Sequence, residues 1–297
     1  MMRILAIRTI PEREVCGDRL PVTVEYSATL KVHHPGRAAR WTPFVVAIGG
    51  LAVYPGSARA QLTDPHAVQP ERPSVATHAG TVAPRYIELE SGLELDGLVG
   101  DGNSLGIPTT IKMGLARRLQ LSVQLPTAAP YREAIGLGDL SVGVKWRLLQ
   151  HAPVLKDFAL LPSLKFPTGS ERAGRGTGTT DASLLFISSR TIGPVSLDLN
   201  FGYTHHGGDG SVVPKNSTLW AVSTGFTISG PLGAALEVFG YPGTSGPAGA
   251  PATVAILTGP TLQLHSWLAI DAGTIIPLSG GQEHALYSGL VWNLGRL

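Results

Sequence analysis

Between Leu140 and Leu148 every second residue is large and apolar: Leu140, Val142, Val144, Trp146 and Leu148. Ser141, Gly143, Lys145 and Arg147 stand between them. Successive side chains of a strand point to opposite faces, so alternation over this length predicts a strand with one apolar and one wet face. The wet face carries two cations and a glycine, too polar for the core of a soluble sandwich. The apolar face ends in a tryptophan, as strands do at a membrane interface. Such a strand belongs in a transmembrane β-barrel, with Lys145 and Arg147 facing the lumen.

The same alternation recurs along the chain. Tyr86, Glu88 and Glu90 oppose Ile87, Leu89 and Ser91. Ile107, Thr109, Ile111, Met113 and Leu115 oppose Thr110, Lys112 and Gly114. Leu119 to Leu125, Asp157 to Pro167, Val195 to Thr204 and five later segments repeat it, whereas the facing of Asp181 to Thr191 is ambiguous. With 37 Gly, 23 Pro and 15% charged residues, the composition fits many strands joined by turns. Beyond the N-terminal region no run of eighteen apolar residues occurs, which excludes a helical membrane protein. The expected fold is all-β: a closed antiparallel transmembrane barrel of about twelve strands over residues 85–297. The strand number is even, and long connections mostly alternate with tight turns. Both features match bacterial barrels, in which the long loops face outward and the termini face the periplasm. The exceptions are a longer link from His151 to Lys156 and a short last outer loop. Closure also leaves no unpaired backbone edge in lipid.

The first sixty residues differ from the rest. Arg37 and Arg40 precede a mostly apolar run from Thr42 to Tyr54, and Ser57-Ala58-Arg59-Ala60 supplies a small-x-small cleavage pattern. This predicts a secretory signal peptide cut after Ala60, with residues 1–60 formed of an N-terminal extension plus that signal. Residues 61–84, with Pro65, Pro70, Pro73 and Pro84, read as an extended lead-in on the periplasmic side or inside the lumen. The formal charge of +2 comes from the first sixty residues, which hold eight Lys or Arg against four Asp or Glu, leaving 2 − 4 = −2 for the remainder. Nothing basic is left there for a nucleic-acid partner. The single cysteine, Cys16, also lies in that prefix, so the remainder has no disulfide or thiolate metal site.

Three segments carry a family resemblance. They are Arg72-Pro73 with Pro84 to Gly92, Gly136 to Lys145 with its Gly138-Asp139 pair, and Leu161 to Ser170 with Pro167-Thr168-Gly169. Together they resemble the outer-membrane family named for the meta-pathway of phenol degradation, sometimes described as transporters. Arg85 stands where that family usually has Gly after the Pro, and Ser74 where an acidic residue is common. The chain ends on Leu297 instead of an aromatic residue, but Gly289, Trp292 and Leu294 keep the spacing of a barrel assembly signal. The resemblance implies a bacterial outer-membrane channel or transporter for passive uptake or export of small solutes, hydrophobic or aromatic ones among them. A non-conducting structural or surface-interaction barrel is the alternative. Its partners would be membrane lipids, the barrel assembly machinery and a small-molecule solute, and no cofactor or metal is implied.

The facing puts Glu88, Glu90, Lys112, Lys145, Arg147, Lys165, Asp198, Glu237 and Asp271 inward. They either line a charged pore or pair with one another to fill a narrow lumen. In the first case Lys112, Lys145, Arg147 and Lys165 form a positive patch, with the acids elsewhere on the wall. Gly138 and Asp139 read as a turn, and Gly174 to Gly178 as a flexible outer loop without the Lys-Ser/Thr of a phosphate-binding loop. His205 and His206 are expected in an exposed loop. No enzymatic activity is expected: no Ser-His-acid spacing is visible, and an outer-membrane phospholipase would need a lipid-facing Ser-His pair near the outer rim.

Overall fold

The computed structural model describes residues 64–98, 103–130, 133–280 and 284–297. The proposed signal peptide and cleavage point lie outside the described residues. The described chain forms β1 (Tyr86–Asp96), β2 (Ser104–Ile107), β3 (Thr109–Ala116), β4 (Leu119–Gln124), β5 (Thr127–Ala129), β6 (Gly136–Leu137), β7 (Leu140–Ala152) and β8 (Lys156–Phe166). It continues with β9 (Asp181–Ile192), β10 (Val195–His206), β11 (Asn216–Ser229), β12 (Leu232–Tyr241), β13 (Thr253–His265), β14 (Leu268–Ser279) and β15 (Ala285–Arg296).

All strand pairs are antiparallel, and β15 pairs with β1 to close a twelve-strand barrel of β1, β3, β4 and β7 to β15. The short β2, β5 and β6 continue three of these strands beyond the ring. The interruptions fall at Pro108, at Leu125-Pro126 and at Gly138-Asp139. A proline has no N–H to give to a ladder, so pairing breaks at Pro108 and Pro126 and resumes one residue on. Gly138 N still donates to Pro126 O at 2.8 Å, so the extension stays tied to the rim.

The sequence periodicity matches the observed facing. Ile111, Trp146, Leu164, Leu199, Phe201, Val222, Phe226, Ile270 and Trp292 are exposed on the outer surface, whereas Glu88, Lys112, Lys145 and Glu237 are fully buried inside. The ambiguous strand resolves as β9. Asp181, Leu185 and Ile187 point inward and Phe186 outward; both faces are apolar along Leu184 to Ile187, so polarity could not choose between them. The link from His151 to Lys156 is shorter than its sequence suggests, because β7 runs on to Ala152 and leaves a turn at residues 153–155. His151 and Lys156 flank that turn with φ of 54°, and the β7–β8 register shifts beside it. Arg85 has φ of 71°, in the left-handed region that favours glycine. A side chain costs about 1–2 kcal/mol in that conformation, a cost that Arg85 carries and a glycine would not.

One expectation fails in part. The lumen is not uniformly wet. On β11 to β15 its outer half is lined by Leu219, Ala221, Phe239, Ala255, Leu257, Ile275, Ala285 and Tyr287, all buried. This sector resembles the core of a soluble protein. The inward charges concentrate on β1, β3 and β7, with the polar Gln120 and Ser122 of β4 between them.

Candidate functional site

Residues 64–84 run inside the barrel as a plug. The segment makes no strand of its own, so its buried N–H groups need acceptors from the wall. Gln69 N donates to Glu88 Oε2 and Glu71 N to Glu90 Oε1, both at 2.7 Å. Val75 N and Ala76 N both donate to Glu237 Oε1, at 3.0 and 3.1 Å. Asn200 makes a two-way contact with Thr77, accepting from its N and donating to its O, each at 2.9 Å. Ala79 N reaches Ser189 Oγ at 2.7 Å and Val82 N reaches Gln120 Oε1 at 2.9 Å. The plug therefore touches the wall on β1, β4, β9, β10 and β12. Hydrogen bonds to charged acceptors contribute about 1.5–3 kcal/mol each, so the inward carboxylates fix the path of the segment.

At the centre lies a cluster of three carboxylates and two ammonium groups. The register places Glu88 directly opposite Lys112, and Gln120 opposite Lys145. Lys112 Nζ is 2.6 Å from Glu88 and 2.8 Å from Glu90, with Glu71 of the plug at 3.9 Å. Lys145 pairs with Glu71 and donates to Thr77 Oγ1 at 3.0 Å, His78 O at 2.9 Å and Gly80 O at 3.3 Å. Lys112 on β3 and Lys145 on β7 flank β4, and Glu71 sits between the two like charges.

The positive patch expected from the sequence is therefore not formed. Lys112 and Lys145 are interleaved with Glu71, Glu88 and Glu90. Arg147 stands apart, at the short-turn end, where its Nη2 donates to Arg117 O at 3.0 Å. Asp271 pairs with Arg72 of the plug at 3.3 Å. Gly92 and Gly289 make room for that guanidinium: a Cβ on either would meet an Arg72 nitrogen at 2.5 Å. Asp198 accepts from Ser189 Oγ at 2.5 Å, behind the Ala79 contact. Glu71, Arg72, Gln69, Thr77, Asn200 and Gln120 were not anticipated. A plug with no ladder has no periodicity, and only its proline content hinted at an extended path.

Lys165 belongs to a second network, at the long-loop end. Its Nζ lies 3.1 Å from Asp139 Oδ2 and 2.8 Å from Asp181 Oδ2. Asp139 is more than a turn residue. It accepts from Gly169 N and Thr177 N, both at 3.0 Å, and so ties the outer loop at residues 167–180 to the head of β7. Thr168 Oγ1 donates to Gly138 O at 3.0 Å and accepts from Leu140 N at 2.8 Å. A Cβ on Gly169 would meet Arg175 O at 2.6 Å, so the Gly of Pro167-Thr168-Gly169 is required by close approach. The Gly174 to Gly178 segment is folded onto the rim by these contacts and does not stand free.

His205 and His206 also differ from expectation. Both close β10 instead of lying in a loop, and they point to opposite faces. His205 is exposed, while His206 is 1% exposed and faces the lumen. Further out, Asp209 accepts from Ser211 Oγ at 2.6 Å and Ser211 N at 2.9 Å, which holds its carboxyl below the usual carboxylate range. Among the described residues no cluster of His, Cys, Asp and Glu is placed to hold a metal ion.

A closed barrel with an apolar girdle outside and a hydrogen-bonded plug inside defines a bacterial outer-membrane β-barrel. The family described as "Putative MetA-pathway of phenol degradation" matches residues 57–275, and the chain belongs to it. Among solved structures, the chain is similar to the COG4313 outer membrane channel from Pseudomonas putida F1. The identity is 11%, the TM-score 0.56, and the match covers 73% of this chain and 98% of that one. It is also similar to the NanC porin, with 10% identity, a TM-score of 0.51, and 70% and 100% covered. At these identities the likeness concerns the fold. No curated protein matches the sequence.

Proposed function

We propose that the protein is an outer-membrane channel for small solutes whose resting lumen is closed by residues 64–84. The carrying observation is how the plug is held. Its N–H groups rest on wall side chains, Glu88, Glu90, Glu237, Asn200, Ser189 and Gln120, and not on a β-ladder. Such contacts can be exchanged for water one at a time, so the segment can shift while the barrel stays intact. The wall above it offers an apolar sector on one side and polar groups on the other. That combination suits small amphiphilic or aromatic solutes, and membrane lipids and the barrel assembly machinery are the other partners of this reading. The similar solved structures are a channel and a porin, which supports the same class.

A permanently closed barrel is the second reading, favoured by the number of strands the plug touches. Single-channel recording of the refolded full-length protein in a planar bilayer separates the two. The wild type is expected to open in discrete events. Lys145→Ala removes the ammonium that holds Glu71, Thr77, His78 and Gly80. If about 1.4 kcal/mol of that grip is lost, open time rises about tenfold. Absence of conductance in both proteins, with the folded barrel verified by its shifted mobility on unboiled gels, would leave the closed reading.

A further inference from the structure

The lumen face at the outer rim carries an arrangement that neither the family nor the channel reading uses. His206 ends β10, Ser217 lies near the start of β11, and Asp181 starts β9. The β10 register pairs Thr204 with Ser217 and His206 with Asp181, so the three side chains share one face of three adjacent strands. His206 Nε2 is 2.8 Å from Ser217 Oγ, and His206 Nδ1 is 2.9 Å from Asp181 Oδ2. A hydroxyl on one ring nitrogen and a carboxylate on the other is the geometry of an activated serine, whatever fold carries it. With Nδ1–H given to Asp181, the tautomer leaves Nε2 free to accept the Ser217 proton. Asp181 is itself fixed, buried to 1% exposure and accepting from Thr179 Oγ1 at 2.8 Å beside the Lys165 ammonium.

Ser217 also opens onto a cavity. A space of about 500 Å³ at the outer mouth is lined by Ser217, Asn216, Lys215 and Asp209, with the Gly243–Pro247 segment opposite. The lining mixes polar and apolar groups, and it carries one cation, Lys215, and one acid, Asp209. Sequence alone hid the constellation because its members are 25 and 11 residues apart and meet only through strand register.

We propose that Ser217, His206 and Asp181 form a nucleophilic serine site that cleaves small polar carboxylic esters entering the outer mouth from the lumen side. Ser217 Oγ attacks the ester carbonyl carbon while His206 Nε2 takes the hydroxyl proton. The tetrahedral adduct collapses, the C–O bond to the alcohol breaks, and His206 returns the proton to the departing oxygen. Water then attacks the acyl-Ser217 ester, again giving a proton to His206. Ser217 regains that proton as the carboxylic acid leaves. Ser217 and His206 are the catalytic residues, and Asp181 is a positioning residue. Lys215 and Asp209 stand together on the cavity wall beside Ser217, so the site suits a polar substrate without a net charge requirement. The face involved is luminal, so the substrate comes from the aqueous mouth and not from the bilayer. The site does not depend on whether the channel conducts.

The test is covalent labelling of the refolded full-length protein by a fluorophosphonate with a short polar linker. Peptide mass analysis is expected to locate one adduct at Ser217, and Ser217→Ala to abolish it. His206→Gln removes the general base and is expected to slow labelling by about 10²–10⁴-fold. It should also erase the single inflection of the wild-type rate against pH. Asp181→Asn slows labelling by a smaller factor, and Asp181→Glu restores part of the rate. Each variant is compared only where unboiled-gel mobility shows a folded barrel. The wild-type result stands without them: folded wild-type protein that takes up no probe, or takes it up equally after Ser217→Ala, overturns the proposal.

Discussion

The two sides of the lumen solve the same problem differently. On β1, β3, β4 and β7 the inward residues are Glu88, Glu90, Lys112, Gln120, Ser122 and Lys145. On β11 to β15 the outer half is filled by Leu219, Phe239, Leu257, Ile275 and Tyr287 with small alanines between them. The first sector holds the plug with charge and hydrogen bonds. The second packs Val75 and Ala76 of the plug as a soluble core would, and its charged members, Glu237 and Asp271, serve the plug at two points. A charged wall confers direction and register. An apolar wall confers volume, and tolerates exchange of one aliphatic residue for another.

The largest effect is expected where the charged sector loses a cation. Lys112→Met keeps most of the side-chain volume but leaves Glu71, Glu88 and Glu90 buried together. Breaking a buried ion pair by removing one partner costs about 3–5 kcal/mol. Urea unfolding of the refolded barrel is expected to show that loss, with partial recovery in Lys112→Met/Glu88→Gln. In the apolar sector, Ile275→Val should cost only about 0.5–1.5 kcal/mol. Equal losses in the two proteins would erase the distinction between the sectors.

A middle-sized effect tests which face is which. Val144→Arg places a cation in lipid near the middle of β7, at about 2–4 kcal/mol for mid-bilayer depth. Ser141→Arg, on the luminal face of the same strand, is expected to cost clearly less in the same titration. The reverse order would mean that the wall of the charged sector is inside out.

The difference between the sectors also explains what could be read from the sequence. Glu88, Lys112, Lys145 and Asp271 interrupt apolar runs at every second position, so the alternation alone made their inward facing legible. Along β9 the run Leu184-Leu185-Phe186-Ile187 is apolar on both faces, and periodicity had nothing to distinguish. The strand number and closure followed from alternation and loop length. The plug did not, because its hydrogen bonds go to side chains brought together by closure, and no local pattern encodes them. The rim residues were misread for a related reason. Asp139 looked like a turn residue and His206 a loop residue, because their partners, Thr177, Gly169, Asp181 and Ser217, come from other strands and loops.

The smallest effect is expected at Arg147, and it sharpens the contrast most. Arg147 follows Lys145 by two residues on β7, and the alternation gave them equal standing as lumen cations. The structure separates them. Lys145 is fully buried and touches Glu71, Thr77, His78 and Gly80, whereas Arg147 is bonded to the Arg117 carbonyl at the short-turn end, where solvent competes. Exposed polar contacts of that kind are worth little, so Arg147→Gln should change stability by no more than about 0.5 kcal/mol. It should also leave the open time of the channel almost unchanged, because its partner is the Arg117 carbonyl of the wall, which Thr81 of the plug reaches only at 3.3 Å. Lys145→Gln, of comparable chemistry two residues away, should lose stability and lengthen openings. If the two substitutions behaved alike, the stability of the charged sector would come from its total positive charge. If only Lys145 matters, it comes from the particular oxygens of residues 71–80 that one ammonium can reach.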